Sequence, residues 1–292
     1  MKKILVPVDF SAASANAAHY AGSLACSIQA KVELINVFQV PVESPMTASL
    51  IGPQEGYEII ENQSQENLQA LAMEISCRLR DSYEVLDFKP LITAHNVMGE
   101  VNEEVNRYFQ SEKMNLVIAG IKRRPGVWKA LLGSNVRRMI ERKDLPLMLI
   151  PEDYTYKKIR KIAFATDLSS TDVKLLCSLV ELARPFNAEI LIMHTTDPKF
   201  DHVHDKERAE NFLGEVAGKV DYRRIYYRHV NSAKVRAGLE WVVEHGQIDV
   251  LAMVPRSHSF IERILRGSYT KQMAGHINLP LLIFPEHHSA PL

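Results

Sequence analysis

Two tandem doubly wound α/β domains, each built on a five-stranded parallel sheet, are the fold the sequence predicts, and three observations carry that reading. The chain aligns with itself along most of its length, short apolar runs alternate with helical stretches, and 292 residues are enough for about two domains of roughly 150. The self-alignment comes first, because a missed repeat miscalls the whole architecture. KKILVPVDFS lines up with RKIAFATDLS, so that Asp9 and Asp167 are 167 − 9 = 158 positions apart, and the same offset carries AKVELINVF onto AEILIMHTT. Further on, NLVIAG matches DVLAMV with an offset of 249 − 115 = 134, which also relates Gly133 to Gly267 and Pro146 to Pro280. The first copy therefore holds 158 − 134 = 24 extra residues between its second and third strands, near residues 42–67. That stretch, VESPMTASLIGPQEGYEII, is rich in proline, glycine and serine and reads as an excursion loop leading into a helix.

Each element follows from its own pattern. Apolar runs of five to seven residues near Ile4, Val32, Val85, Leu116 and Leu147 read as strands buried on both faces. The intervening stretches at residues 12–28 and 100–111 carry helical periodicity. Strands separated by helices give a parallel sheet, and right-handed crossovers restrict the order to doubly wound arrangements. The copies, expected at residues 1–152 and 158–286, are joined near PEDYTYKK.

Composition excludes several classes. Lysine plus arginine equals aspartate plus glutamate, 35 against 35, so no global field exists to hold a nucleic-acid backbone or an anionic membrane. Neither partner is expected. Cys26, Cys77 and Cys177 are odd in number and form no CxxC pair, which suggests neither a disulfide framework nor a structural zinc site. Cys26 and Cys177 fall in apolar helices and are expected in the core. The opening MKKILVPVDFS has an apolar run too short for a signal peptide, and no run approaches the roughly 20 residues of a membrane span. A cytoplasmic location is the expectation.

In an open parallel sheet, ligands bind beyond the carboxyl ends of the strands where strand order reverses. The exits in the first copy are Pro7, Val8 and Asp9, then Val37 and Phe38, then Ala119 and Gly120. After Gly120 the chain reads IKRRPGVWKALLGSNVRRMI, with Gly133 and Ser134 opening what reads as the next helix. Glycine lets backbone amides approach an anion, and a helix start supplies unpaired N–H groups at the positive end of its dipole. Lys122, Arg123, Arg124 and Lys129 add positive charge, and Ser134 and Asn135 add side-chain donors. Taken singly, each feature has an ordinary structural explanation: GlySer is a common helix start, a strand-end aspartate commonly caps a turn, and a basic cluster is commonly a solvated loop. Their convergence on one sheet edge makes a phosphate-bearing ligand the stronger reading.

These residues resemble the universal stress protein family, and the resemblance covers almost the whole chain, twice. ILVPVDFS is similar to the family's opening strand and serine-rich helix start. The family's nucleotide signature is glycine, two residues, glycine, nine residues, then glycine with serine or threonine, and Gly120 to Gly133 has its span of 133 − 120 = 13. Arg123 stands where the signature has its middle glycine. The resemblance implies Rossmann-like domains of the adenine-nucleotide α-hydrolase-like type. It also implies a non-catalytic stress-response protein holding ATP or another adenine nucleotide, with Mg as accompanying cation. On this reading Asp9, beside Pro7 and Val8, meets the adenine or ribose side, and Val37 lines the base. Ala119, Gly120, Gly133, Ser134, Asn135 and Val136 hold ribose and phosphates, while Arg123 either blocks the loop's close approach or binds phosphate itself. In the second copy Val254 and Ser257 replace the first two glycines, and Thr195 replaces the apolar base contact. Asp167, Gly267 and Ser268 remain, as a degenerate site. The family's dimerisation through last strands implies that LPLMLIP and LPLLIFP pair internally as a pseudo-dimer. A homodimer of the tandem chain stays open.

Two rival functions come from other classes. A weak ATPase would use metal-bound phosphates beside Ser134, although the loop holds no evident general base or Walker-type lysine. Metal binding is prompted by Asp201, His202, His204 and Asp205, with His194 at a strand end and His287 and His288 near the end of the sequence. DHVHD reads as a loop without the helical spacing of a metalloenzyme site, which favours exposed polar histidines and no metal site.

Overall fold

The computed structural model describes residues 1–39, 53–82, 88–122, 133–142, 145–196, 202–232, 235–254, 279–285 and 292. The first copy runs β1 (Lys2–Pro7), α1 (Ala12–Ile28), β2 (Ala30–Phe38), α2 (Pro53–Ser82), β3 (Ile92–Met98), α3 (Val101–Ser111), β4 (Leu116–Ile121), α4 (Ser134–Arg142) and β5 (Leu147–Pro151). The second runs β6 (Lys161–Ala165), α5 (Ser170–Ala183), β7 (Glu189–Thr196), α6 (His202–Lys219), β8 (Ile225–Asn231), α7 (Val235–His245), β9 (Val250–Met253) and β10 (Leu281–Ile283).

Ten strands form one sheet in the order β3-β2-β1-β4-β5-β10-β9-β6-β7-β8. Each half is parallel, and the halves meet in an antiparallel pairing of β5 with β10. The register there is Leu281 with Leu149, Leu282 with Met148 and Ile283 with Leu147. Because 282 − 148 = 134, the central pair joins equivalent residues of the two copies, so the pseudo-two-fold axis passes between them. Joining the last strands covers two edges that would otherwise expose unpaired backbone groups.

The backbone repeats the duplication independently of residue identity. Left-handed residues recur at Phe10 and Leu168 (φ 59° and 66°), Gln29 and Asn187 (54° and 52°), and Lys113 and Gln247 (52° and 52°). The first two pairs are 158 apart and the third 134, the offsets of the sequence. Turns, and not only apolar patterns, have therefore been retained.

Side chains alternate across the sheet, as period-2 strands require. Ile4, Val6, Ile118 and Met148 enter the layer shared with α1, α2, α5 and α6, a layer that continues through Ile162, Phe164 and Leu282. Leu5, Val117 and Leu147 enter the opposite layer with α3, α4 and α7. The linker between the copies packs on α1: Asn16 Nδ2 donates to the carbonyls of Pro151 (2.9 Å) and Tyr154 (3.1 Å). The Tyr156 ring meets Tyr20 edge-on at 5.2 Å.

Three expectations are corrected. The third strand lies at Ile92–Met98, after the run near Val85, which falls outside the described residues; ITAHNVM is partly exposed along its length, as suits an outer strand with little apolar signal. The histidines read as loop residues open α6, which begins at His202. Cys177 is exposed on α5, whereas Cys26 is buried. Of the 42–67 insertion, residues 53–67 belong to α2, whose 30 residues exceed the 18 of α6 by 12. The earlier part lies outside the described residues.

Candidate nucleotide-type site in the first copy

A crevice of about 270 Å³ opens at the carboxyl ends of β1, β2 and β4. Its walls include Pro7, Val8 and Asp9 from the β1 exit, Val37 from β2, Ala119 and Gly120 from β4, and Gly133, Asn135 and Val136 at the start of α4. It sits beside β1, between β2 and β4, where connections leave the sheet in opposite directions. Of the anticipated first-copy residues, Ser134 begins α4 without lining the crevice, and Arg123 lies outside the described residues. Arg124 and Lys129 lie outside them too, as do Gly267, Ser268 and Ser257 in the second copy.

The turn between β1 and α1 is held by its own side chains. Asp9 Oδ1 accepts from the Ser11 backbone N–H (3.0 Å) and hydroxyl (2.5 Å), and Ser11 Oγ caps α1 by accepting from Ser14 N–H (3.3 Å). Partial desolvation pushes the Asp9 carboxyl up, but hydrogen bonds involving Ser11 and Ser14 and the charge of Lys122 outweigh it. The net effect is a pKa below the ordinary 3.8. Asp9 is therefore an ionised acceptor at neutral pH.

Gly120 and Gly133 differ in role. A Cβ on Gly120 would lie 2.1 Å from the Ala13 carbonyl oxygen and 2.8 Å from Ser14 N, so glycine there lets α1 lie close against β4. A Cβ on Gly133 would meet nothing within 4 Å. Its carbonyl accepts the first helical bond, from Arg137 N–H at 3.0 Å, which makes it the residue capping α4. The positive end of that helix borders the crevice at Asn135 and Val136.

The crevice also recruits Ser11, Ala13, Ser14, Ile35, Val101, Lys122 and Met139. Lys122 was visible as part of a basic cluster and Ser11 as part of the turn motif. Val101 and Met139 were not anticipated, because each is an ordinary apolar position on an amphipathic helix.

In the second copy, Asp167 Oδ1 accepts from Ser169 N–H (3.1 Å), repeating the turn. The floor is different. Thr166 Oγ1 donates to buried Asp172 (2.6 Å), where the first copy has Val8 and Ser14. Thr195 stands beside α7, whose Gly238 would place a Cβ 3.1 Å from its methyl carbon. Among the described residues, no group of three His, Cys, Asp or Glu side chains converges as a metal site. No described helix is long and apolar enough to cross a membrane.

Two doubly wound domains, paired through their last strands, with a strand-end crevice in the first, define a tandem α/β architecture. The universal stress protein family model matches residues 1–151 and again 158–285, and the chain belongs to that family. Among curated proteins, a universal stress protein of Synechocystis sp. is 27% identical over 155 residues, 52% of this chain and 51% of the relative. The match thus spans about half the length of each. Among solved structures, a universal stress protein from Archaeoglobus fulgidus superposes with a TM-score of 0.67 at 15% identity, covering 97% of this chain and 98% of that one. One from Pseudomonas aeruginosa superposes with a TM-score of 0.54 at 13% identity, covering 97% and 93%. These likenesses establish the fold.

Proposed function

We propose that this chain is a stress-response protein whose first copy binds an adenine nucleotide of ATP type in the strand-end crevice, and that bound nucleotide sets its state toward partners. The observation that carries this reading is one cavity joining an ionised acceptor at Asp9, apolar walls at Val37 and Ile35, and the N-terminus of α4 at Gly133 and Asn135. Each part suits one part of a nucleotide. The apolar walls suit a planar base. Asp9, whose Oδ1 is occupied by Ser11, offers Oδ2 to a ribose hydroxyl or base amine. Gly133, Asn135 and Lys122 suit anionic oxygens at a helix start. The volume of about 270 Å³ lies just below the range of typical ligand pockets, about 300 to 1,000 Å³, and suits a nucleoside with its phosphates directed out toward α4. Mg belongs to the proposal only as the companion of those phosphates.

Calorimetric titration of the full chain with ATP, ADP, AMP and adenosine, with and without Mg, is the direct test. Saturable binding to a single site is expected, with affinity falling as phosphates are removed. Gly133→Val, which puts a side chain into the open space beside α4, is expected to weaken ATP more than adenosine. Absence of heat and of any ATP-dependent thermal shift overturns the reading, and so does ATP binding indifferent to Gly133→Val.

A further inference from the structure

Two helices begin at the crevice of the first copy, and they begin differently. Val101 opens α3, Asn135 and Val136 lie in the first turn of α4, and all three line the crevice. The start of α3 is closed by Glu100, whose Oε2 accepts from the backbone N–H groups of Asn102 (2.9 Å) and Glu103 (3.0 Å). The start of α4 follows Gly133, which has no side chain to close it in this way. Of the two positive helix ends, that of α3 is already neutralised by a carboxylate, which leaves that of α4 for an incoming anion.

The same carboxylate reaches across to α4. Glu100 Oε1 accepts from Arg138 Nη1 at 2.9 Å and from Asn102 Nδ2 at 3.0 Å, so each carboxylate oxygen takes two donors. Desolvation pushes the Glu100 carboxyl up, but the bonds from Asn102 and Glu103 and the charge of Arg138 outweigh it and hold the pKa below the ordinary 4.5. Asn102 is committed to this arrangement. The residue is buried, and its Oδ1 has no hydrogen-bond partner among the described residues. Turning the amide over would set that oxygen against the carboxylate, so Nδ2 stays on Glu100 and Oδ1 stays unpaired. A buried acceptor left unpaired calls for an explanation, and holding Glu100 toward α4 supplies one.

α4 needs such a contact. It has nine residues, of which Met139 and Ile140 are buried with Val105 and Phe109 of α3. Apolar burial is non-directional, so it keeps α4 near α3 without fixing where along α3 its first turn stands. The bond from Arg138 to Glu100 adds the direction. The duplication offers an independent comparison, because α3 (Val101–Ser111) and α7 (Val235–His245) are related by 134 at both ends. Glu100 and Arg138 then correspond to positions 234 and 272, which hold Lys and Gln. The copy that lacks the first two glycines of the nucleotide signature lacks both halves of this pair as well.

We propose that Glu100 and Arg138 form a positioning clamp that holds the start of α4 against the crevice, so that affinity for phosphate-bearing ligands, and not for nucleosides, depends on the pair. The clamp rests on the nucleotide reading given above. Neither side chain is part of the crevice wall, so the pair acts through α4 and not by touching the ligand. With side chains 32% and 59% exposed, it is worth little to overall stability.

The test titrates ATP and adenosine calorimetrically into the full-length parent, Glu100→Gln, Arg138→Gln and the double variant, with melting temperatures taken alongside. The signs of the effects separate a clamp from bare charge. Charges acting directly on the ligand would make Arg138→Gln weaken ATP, Glu100→Gln strengthen it, and the double variant return to the parent. The clamp instead predicts that both single variants weaken ATP roughly 2–5-fold, that the double variant is no weaker than either, and that adenosine changes by less than about 2-fold. Glu100→Asp keeps the charge and the cap of α3 but falls short of Arg138, and it should weaken ATP alike. Unchanged or tighter ATP binding by Glu100→Gln overturns the clamp while leaving nucleotide binding in place, and so does an equal loss of adenosine. A parent that binds neither ligand overturns the clamp together with the reading beneath it. Should Glu100→Gln fail to fold, Glu100→Asp decides: ATP held at parental strength overturns the clamp, and an ATP-selective loss supports it.

Discussion

The strand-end turns after β1 and β6 are duplicates whose surroundings have diverged. The first keeps Val8, Ser14 and Asn36; at the equivalent places the second has Thr166, Asp172 and His194. Both turns retain the aspartate, the serine N–H bond and the left-handed residue that follows, so the scaffold was held while the lining changed. The glycines diverge in the same sense. Gly120 admits α1 to within contact of β4, and its equivalent Val254 carries a side chain buried in the shared apolar layer. A duplicated fold can therefore keep its sheet, turns and seam while the residues around one strand end change, because those features do not depend on them.

The seam should give the largest effect, and it tests the symmetry on which the comparison rests. Met148 and Leu282 are each fully buried and pair across the axis. Met148→Asp and Leu282→Asp should each cost about 3–5 kcal/mol, since each buries an unpaired charge. Urea unfolding should give losses that agree within about 1 kcal/mol. A large inequality would mean that the two-fold relation at the seam is geometric only.

Next in size is Gly120→Ala, whose Cβ would fall 2.1 Å from the Ala13 carbonyl oxygen. Because the obstacle is backbone, α1 must shift, at a cost of about 3 kcal/mol. Gly133→Ala meets nothing within 4 Å and should leave stability within about 0.5 kcal/mol of the parent. If the two variants unfold at the same urea concentration, the glycines of this loop do not divide into one for packing and one for the ligand.

The scaffold was legible in the sequence because strands buried on both faces must be apolar runs, and because duplication prints each run twice. β3 was misplaced for the converse reason: an outer strand such as ITAHNVM is partly exposed and carries little of that signal. The β1, β2 and β4 exits were legible from topology alone, which brings Asp9, Val37 and Gly120 together. Two kinds of information were not. Met139 and Val101 enter the crevice from helix faces whose rotation no spacing reveals. The pairing of His194 with His229 needs strand register, which relates residues 35 apart with nothing local to mark them. HVHD looked like a loop because its polar residues mask the stripe that continues into Ala209 and Phe212.

The smallest effect is the one that separates the turn's structural role from the crevice's binding role. Asp9 is exposed, and its pKa is held below 3.8 because the bonds with Ser11 and Ser14 and the charge of Lys122 outweigh desolvation. A carboxyl whose folded pKa is depressed stabilises the fold above its unfolded pKa and loses that contribution as pH falls through the folded value. Asp9→Asn should therefore cost less than about 1 kcal/mol at pH 7, given the exposure and solvent screening. The difference from the parent should shrink only as pH falls below about 3.8. Nucleotide affinity should behave otherwise: an amide still accepts through one oxygen, but it brings an N–H₂ donor to a place where an acceptor-only carboxylate stood. ATP and adenosine should both weaken in the variant by similar factors, because the contact is to the nucleoside and not to the phosphates. A loss confined to ATP would move Asp9 to the phosphate end and reverse the ligand's orientation in the crevice. Titrating both ligands at pH 7, beside urea unfolding of parent and variant from pH 7 to pH 3, measures the two roles separately.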